Sequence, residues 1–404
     1  MNFWNDPIQV IYDWLMQTFT GWGLSEIWAY ILISLIGIVA LVAFAMVLDI
    51  MLVWVERKVV ARFQGRLGPN RVGPFGLFQP FPDIIKLIIK EDITPEGADK
   101  VVFNMAPVLS AMSVIILWAV FPLAARVYGT DLNVAVLYLV AAGAIGTLAV
   151  IMAGWSSNNK YALLGAFRSV ATMVSFEIPL VVALLIPVVL TGSMSLKTIS
   201  EAQIDGVPFI LIAPLAFLVF LVSAIAELGR SPFDLNEGES EIVSGFHIEY
   251  SGMKFGWFYA GELLHSFTVG GFMGILFFGG WGWFGLEKIS WLGWLGSPFF
   301  GAIAVLGKAM IGYWIIMWIK YTVPRIRIDH MLAFNWKFLT PLSFALLVMT
   351  AVLHSLFKGQ DTWLYVGVML AANFVMAWIT LEILRAVSRK ERAAAQAPKP
   401  VAQH

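Results

Sequence analysis

The chain has 404 residues, of which 59% are hydrophobic and 13% charged, against about 25% charged residues in a typical soluble domain; with a mean hydropathy of +0.81 this excludes a soluble globular fold and predicts an all-α polytopic membrane protein. The 26 Lys and Arg balance the 26 Asp and Glu, so there is no charge excess to attract nucleic acid. There is no Cys, and the five His (His247, His265, His330, His354 and His404) are scattered, which excludes disulfides, thiolate clusters and Cys-ligated zinc and places any electron carrier on another polypeptide or on a free small molecule.

Apolar side chains recur at Ile8, Ile11, Tyr12, Leu15, Met16 and Phe19. That helical spacing predicts an interfacial helix, and residues 1–26 read as an outer interfacial segment. No Lys or Arg precedes Arg57, so the basic region of a cleaved signal peptide is missing. A helix crosses hydrocarbon with about 20 apolar residues. About nine spans are predicted, at 27–53, 107–125, 134–154, 171–191, 208–228, 257–280, 299–319, 338–357 and 363–384, as a single membrane domain over 27–384. Trp28, Trp54, Trp155, Trp257, Trp281, Trp318, Trp336 and Trp363 flank them as interfacial anchors. Twenty-one cations follow the odd-numbered spans and four follow the even-numbered ones, with Lys308 inside a span. The positive-inside rule then puts the N-terminus outside and the C-terminus in the cytoplasm. Residues 385–404 form a cytoplasmic tail whose Ala/Pro/Gln-rich end reads as disordered.

The first connector, 54–106, is too long for a plain turn. Its Gly68-Pro69-Asn70 and Gly73-Pro74 punctuation marks an ordered loop. Pro80 and Pro82 then open a helix in which Asp83, Lys86 and Lys90 share one face and Ile84, Ile85 and Ile88 another. Such a helix lies along the membrane surface. It serves either as a lipid-surface stabiliser or as one wall of a site for an amphipathic, lipid-soluble substrate. The second connector, 155–170, is polar and short.

Several acids stand inside the spans. A charge at mid-bilayer costs about 2.5–3.5 kcal/mol, so intramembrane acids usually face a polar interior, often a proton path. Glu177, two residues before Pro179, and Glu262 read in this way; proline withholds a backbone N–H and opens the helix to polar groups near residue 175. Glu227 ends the fifth span. Asp49 and Glu382 read as snorkelling interfacial side chains. Lys308 has two readings, an ion pair with a carboxylate or a relay partner. Glu262-Leu-Leu-His265 has di-iron spacing, but such a site needs two of these motifs and further Glu, so no metal is expected.

The connector 230–250 holds Asp234, Glu237, Glu239, Glu241 and Glu249, with Arg230 as its one built-in counter-charge. It sits where the other connectors are basic. Two carboxylates about 6 Å apart repel by about 3 kcal/mol at an effective dielectric constant of about 20. Such a group titrates collectively and is suited to carrying protons. A solvated loop is the plainer reading.

Three stretches together resemble one family: Glu56-Arg-Lys with Arg66-Leu-Gly-Pro-Asn-Arg-Val-Gly-Pro-Phe-Gly-Leu-Phe-Gln-Pro80; Ala153-Gly-Trp-Ser-Ser-Asn-Asn-Lys-Tyr-Ala-Leu-Leu-Gly-Ala-Phe-Arg168; and Ala226-Glu-Leu-Gly-Arg-Ser-Pro-Phe-Asp-Leu-Asn-Glu-Gly-Glu-Ser-Glu241. The family is the H-type membrane subunit (subunit 1 in mitochondria) of respiratory complex I, the proton-pumping NADH:quinone oxidoreductase, and the resemblance runs from about residue 27 to 384. It implies a subunit that binds no redox cofactor itself. Quinone would be the substrate, with iron–sulfur clusters and flavin on partner subunits. The partners would be the peripheral arm with its terminal cluster, small membrane subunits and antiporter-like subunits, in the bacterial cytoplasmic (inner) membrane. The resemblance implies proton-coupling roles for Glu177, Glu227, Glu237, Glu239, Glu241, Glu249 and Glu262. It implies a quinone chamber and entrance at Arg57, Arg66, Asp83, Lys86, Arg230, Phe258 and Tyr259. Ser231 stands where many relatives have Thr, which keeps the hydroxyl. The membrane module of a related hydrogenase, a secondary ion transporter and a purely structural anchor are the competing readings.

Overall fold

The structure, a computed structural model, describes residues 6–235 and 238–396. Within them the regular structure is helical. The helices are α1 (Pro7–Gly21), α2 (Glu26–Phe63), α3 (Pro80–Ile89), α4 (Lys100–Leu117), α5 (Ala135–Ser156), α6 (Lys160–Thr191), α7 (Leu196–Asp205), α8 (Phe209–Ile212), α9 (Pro214–Glu227), α10 (Glu239–Ile242), α11 (Gly252–Phe277), α12 (Pro298–Thr322), α13 (Ile328–Phe334), α14 (Thr340–Phe357) and α15 (Thr362–Gln396). A π-helical segment, Asn335–Leu339, joins α13 to α14.

Among the described residues, eight helices are long and apolar enough to cross a membrane, counting α13 and α14 as one. The protein is polytopic, as its composition predicts. The predicted span at 208–228 is instead broken at Ala213, because Pro214 starts a new helix of 14 residues. Other boundaries move for local reasons. Asp99 accepts from the Val101 and Val102 amides and so starts α4 well before residue 107. Asn159 caps α6 in the same way, leaving 157–159 as the turn where a polar connector over 155–170 is predicted. The first span, α2, continues past residue 53 to Phe63 because no Gly or Pro occurs over 54–63. At 38 residues it is about 57 Å long. The last helix runs through Gln396, so the tail read as disordered is helical over 385–396; the run Arg389–Gln396 is rich in Ala and other strong helix formers.

Backbone freed inside a membrane must find a partner elsewhere in the protein. Two buried Asn side chains do this here. Pro179 cannot donate to the Ser175 carbonyl, and Asn335 Nδ2 donates to it instead at 2.6 Å. Asn373 of α15 donates to Ile212 O at 3.1 Å, at the break before α9.

The centre of the bundle is α11, whose faces are nearly all buried. It crosses α12 closely at Gly270 and Gly312, where a Cβ on Gly312 would lie 2.6 Å from the Gly270 Cα. Its C-terminal end is held by two side chains. Gln203 donates to Ile275 O and accepts from the Gly279 amide. Lys308 of α12 donates to the carbonyls of Phe278, Gly280 and Gly282 at 2.8, 2.7 and 2.6 Å. The half-buried Lys is therefore a helix-end cap, and among the described residues no carboxylate is within ion-pairing distance of it. Each polar group left buried without a partner costs about 1–3 kcal/mol. Lys308→Met orphans three carbonyls, and the expected result is several-fold less protein in the membrane fraction by immunoblot. Wild-type amounts would contradict the capping role.

Candidate functional site

The connectors after α2, α5, α9 and α12 meet at one end of the bundle. The Asp99 amide donates to Ser156 O, and the Ile326 amide to Pro232 O at 3.0 Å. Tyr250 pins the connector before α11 to this end. Its ring stacks on Phe103 at 4.0 Å, and its hydroxyl donates to the Phe103 carbonyl. Burial pushes the Tyr250 hydroxyl up to about 12, so it stays protonated and keeps donating.

A buried ion network lies just inside. Arg230 and Glu56 have side chains 1% and 4% exposed. Arg230 Nη1 donates to Glu56 Oε1 at 3.0 Å, and its Nε lies 3.0 Å from Glu262 Oε1. Glu56 also accepts from Lys320 Nζ at 2.9 Å, from Tyr321 at 2.6 Å and from Tyr313 at 3.4 Å. One carboxylate thus ties α2, the α9–α11 connector and α12 together. Burial works against the charge on Arg230, but Glu262 and Glu56 outweigh it and raise its pKa above the usual guanidinium range. Seven residues before Glu56, on the same face of α2, Asp49 is also buried. It is not the snorkelling side chain that its place near a span end suggests, and its Oδ1 has no hydrogen-bond partner among the described residues. Glu382 is exposed and pairs with Arg385.

Beside this network lies a cavity of about 110 Å³. Its polar wall includes Glu227, Glu262, His247, His265 and Tyr259, and Phe258 completes one side. A second cavity of about 40 Å³ adjoins it and is lined by Glu177, Glu227 and His265 among apolar side chains. Either exceeds the 10–15 Å³ that a water needs. The structure therefore brings Glu262, Glu227 and Glu177 onto the walls of two adjoining cavities, with Glu227 on both.

The described connector acids find their partners outside their own segment. Glu241 pairs with Arg168, Asp234 with Arg325 at 2.7 Å, and Glu249 accepts from Asn159 Nδ2 at 2.6 Å. Arg230, expected as their counter-charge, turns inward to Glu56 and Glu262 instead. Glu237 lies outside the described residues, and only the backbone of Glu239 is described, at the start of α10.

Of the residues expected at a quinone entrance, Arg230, Phe258 and Tyr259 lie at the network and the first cavity, and the other four lie on or beside α2 and α3. Arg57 pairs with Asp83, joining α2 to α3. The α3 helix packs against α11, where a Cβ at Gly256 would meet the Leu87 side chain at 3.1 Å. Ile85, Ile88 and Ile89 remain exposed on the apolar side of α3. Arg66 and Lys86 are exposed and take no part in this ion pair, with Arg66 bonded to the Gln64 side chain. Sequence reasoning assigns no role to Glu56, Lys320 or Tyr321 and reads Asp49 as interfacial. Asp49, Leu52 and Glu56 have the i, i+3, i+7 spacing of one helix face, a signal hidden once the span is ended at residue 53.

Residues 36–351 match the family described as NADH dehydrogenase. The chain is 45% identical over 351 residues to the H-type subunit of NADH-quinone oxidoreductase from Dehalococcoides mccartyi strain CBDB1, covering 87% of this chain and 94% of the relative. It is 44% identical over 303 residues to the corresponding protein of Geobacillus kaustophilus, covering 75% and 88%. It is 38% identical over 351 residues to that of Phocaeicola vulgatus, covering 85% and 97%. With a buried Arg–Glu network and acid-lined cavities inside a polytopic helical bundle, the chain belongs to the NADH dehydrogenase family, alongside these H-type subunits of NADH-quinone oxidoreductase.

Proposed function

We propose that the chain is the membrane subunit of a proton-translocating NADH:quinone oxidoreductase in the bacterial cytoplasmic membrane. In this reading it forms the entrance of the quinone chamber and the acidic link from quinone reduction to proton pumping. The observation that carries it is the continuity of Arg230 and Glu262 with the cavities that reach Glu227 and Glu177.

Partner subunits bearing flavin and iron–sulfur clusters supply the electrons. This chain guides a quinone from the bilayer past the apolar side of α3, where α2 and α11 converge and Arg57 holds Asp83. Reduction to the quinol takes two electrons and two protons. The demand for protons is met through the connector acids Glu237, Glu239, Glu241 and Glu249. That demand passes to Glu262, Glu227 and Glu177 and on to the antiporter-like subunits. Arg230 stays charged throughout and fixes the electrostatic reference between Glu56 and Glu262.

Glu241→Gln in the assembled complex tests the link. Its pair with Arg168 is partly exposed, and such pairs contribute about 0–1 kcal/mol, so assembly is retained. Quinone reduction and coupled pumping should both fall several-fold, measured in inverted membrane vesicles. Full turnover with full pumping would sink the relay.

A further inference from the structure

The two cavities are separated by a wall they share, made of Leu117, Gly143, Glu227 and His265. Glu262 faces only the first cavity and Glu177 only the second. A proton passing between them therefore crosses at a wall whose polar side chains are Glu227 and His265. His265 lies one helical turn after Glu262 on α11 and so shares its face. The charged and titratable groups around it are Glu227, Glu262, His247 and Tyr259 on the cavity walls, Glu177 across the second cavity, and Arg230, which pairs with Glu262.

A structural reading of a buried His would have its ring nitrogens satisfied by fixed partners, as buried polar groups usually are. Among the described residues none hydrogen-bonds the His265 ring; by contrast the His354 ring lies 2.9 Å from the Tyr365 hydroxyl. Both cavities have room for water beside the acids that line them, and an imidazole can accept a proton at one nitrogen while releasing one from the other.

We propose that His265 is the proton-relay residue joining the two cavities. A proton leaving the Glu262 side binds one ring nitrogen, and the proton on the other nitrogen leaves toward Glu227 and Glu177. The ring ends in its other tautomer and returns by reorientation, so charge and protons balance without a further reactant. This inference rests on the acid path proposed above and adds a non-carboxylate member to it.

The test compares His265→Gln, His265→Ala and Glu227→Gln in the intact complex, with protons pumped per NADH oxidised measured in inverted vesicles. Glutamine keeps hydrogen bonding but cannot relay. The expected result for His265→Gln is at least a tenfold loss of pumping at wild-type amounts of complex. His265→Ala should lose pumping equally and regain part of it on addition of imidazole, which a packing role would not produce. Wild-type pumping in His265→Gln beside lost pumping in Glu227→Gln overturns the His265 assignment alone. Full pumping in Glu227→Gln overturns the acid path itself. Failure of both His265 variants to assemble assigns the residue to packing and also overturns the relay.

Discussion

Arg230→Met should remove the protein from the assembled complex. The substitution leaves Glu262 without its cation and Glu56 with only Lys320, in a site where the Glu56 side chain is 4% exposed. Removing one partner of a buried pair costs about 3–5 kcal/mol, because the other charge stays buried and uncompensated. A folded domain has about 5–15 kcal/mol in all. Immunoblots of membranes and native gels should show a loss of tenfold or more. Arg230→Lys should fall between, since an ammonium on a shorter stem cannot reproduce a fork whose Nη1 and Nε serve two carboxylates on different elements. Wild-type accumulation of Arg230→Met would mean that the network is dispensable for folding, and attention would turn to turnover alone.

The contrast between Arg230 and the connector acids shows what can be read from sequence. The connector's acidity is visible in any window of residues 230–250, but its electrostatic partners are not. Arg168 and Arg325 are 73 and 91 residues from the acids they meet, and Glu56 is 174 residues from Arg230. Local reading pairs a charge with its sequence neighbours, and so gives Arg230 to the wrong acids. Proline placement is more informative, because its consequence is local. A freed carbonyl near residue 175 follows from Pro179 alone, and only the identity of its donor, Asn335, requires the fold. Glu177 and Glu262 can be singled out because a charge within an apolar run is costly wherever the run packs. His265 carries no such signal. One imidazole on an apolar helix looks like many core histidines until two cavities are found to share it.

Glu227→Gln should abolish coupled pumping while leaving the complex assembled. Among the described residues Glu227 is the one carboxylate that faces both cavities, and the proposed acid path from Glu262 to Glu177 runs through it beside His265. The amide is nearly isosteric and removes no cation's partner, since Glu227 forms no ion pair among the described residues. The fall in pumping should therefore exceed tenfold without loss of protein. Gly143 allows the same conclusion to be tested without altering any charge. A Cβ on this α5 glycine would stand 3.0 Å from Glu227 Oε1, tighter than ordinary van der Waals contact. Gly143→Ala asks the carboxylate to move by a few tenths of an ångström and should cost pumping modestly. Gly143→Leu fills the shared wall and should approach the Glu227→Gln phenotype. If pumping declines with side-chain volume at Gly143 while Glu227 keeps its charge, the position of the carboxylate carries the coupling. If Gly143→Leu pumps fully, protons travel by a route that does not cross this wall.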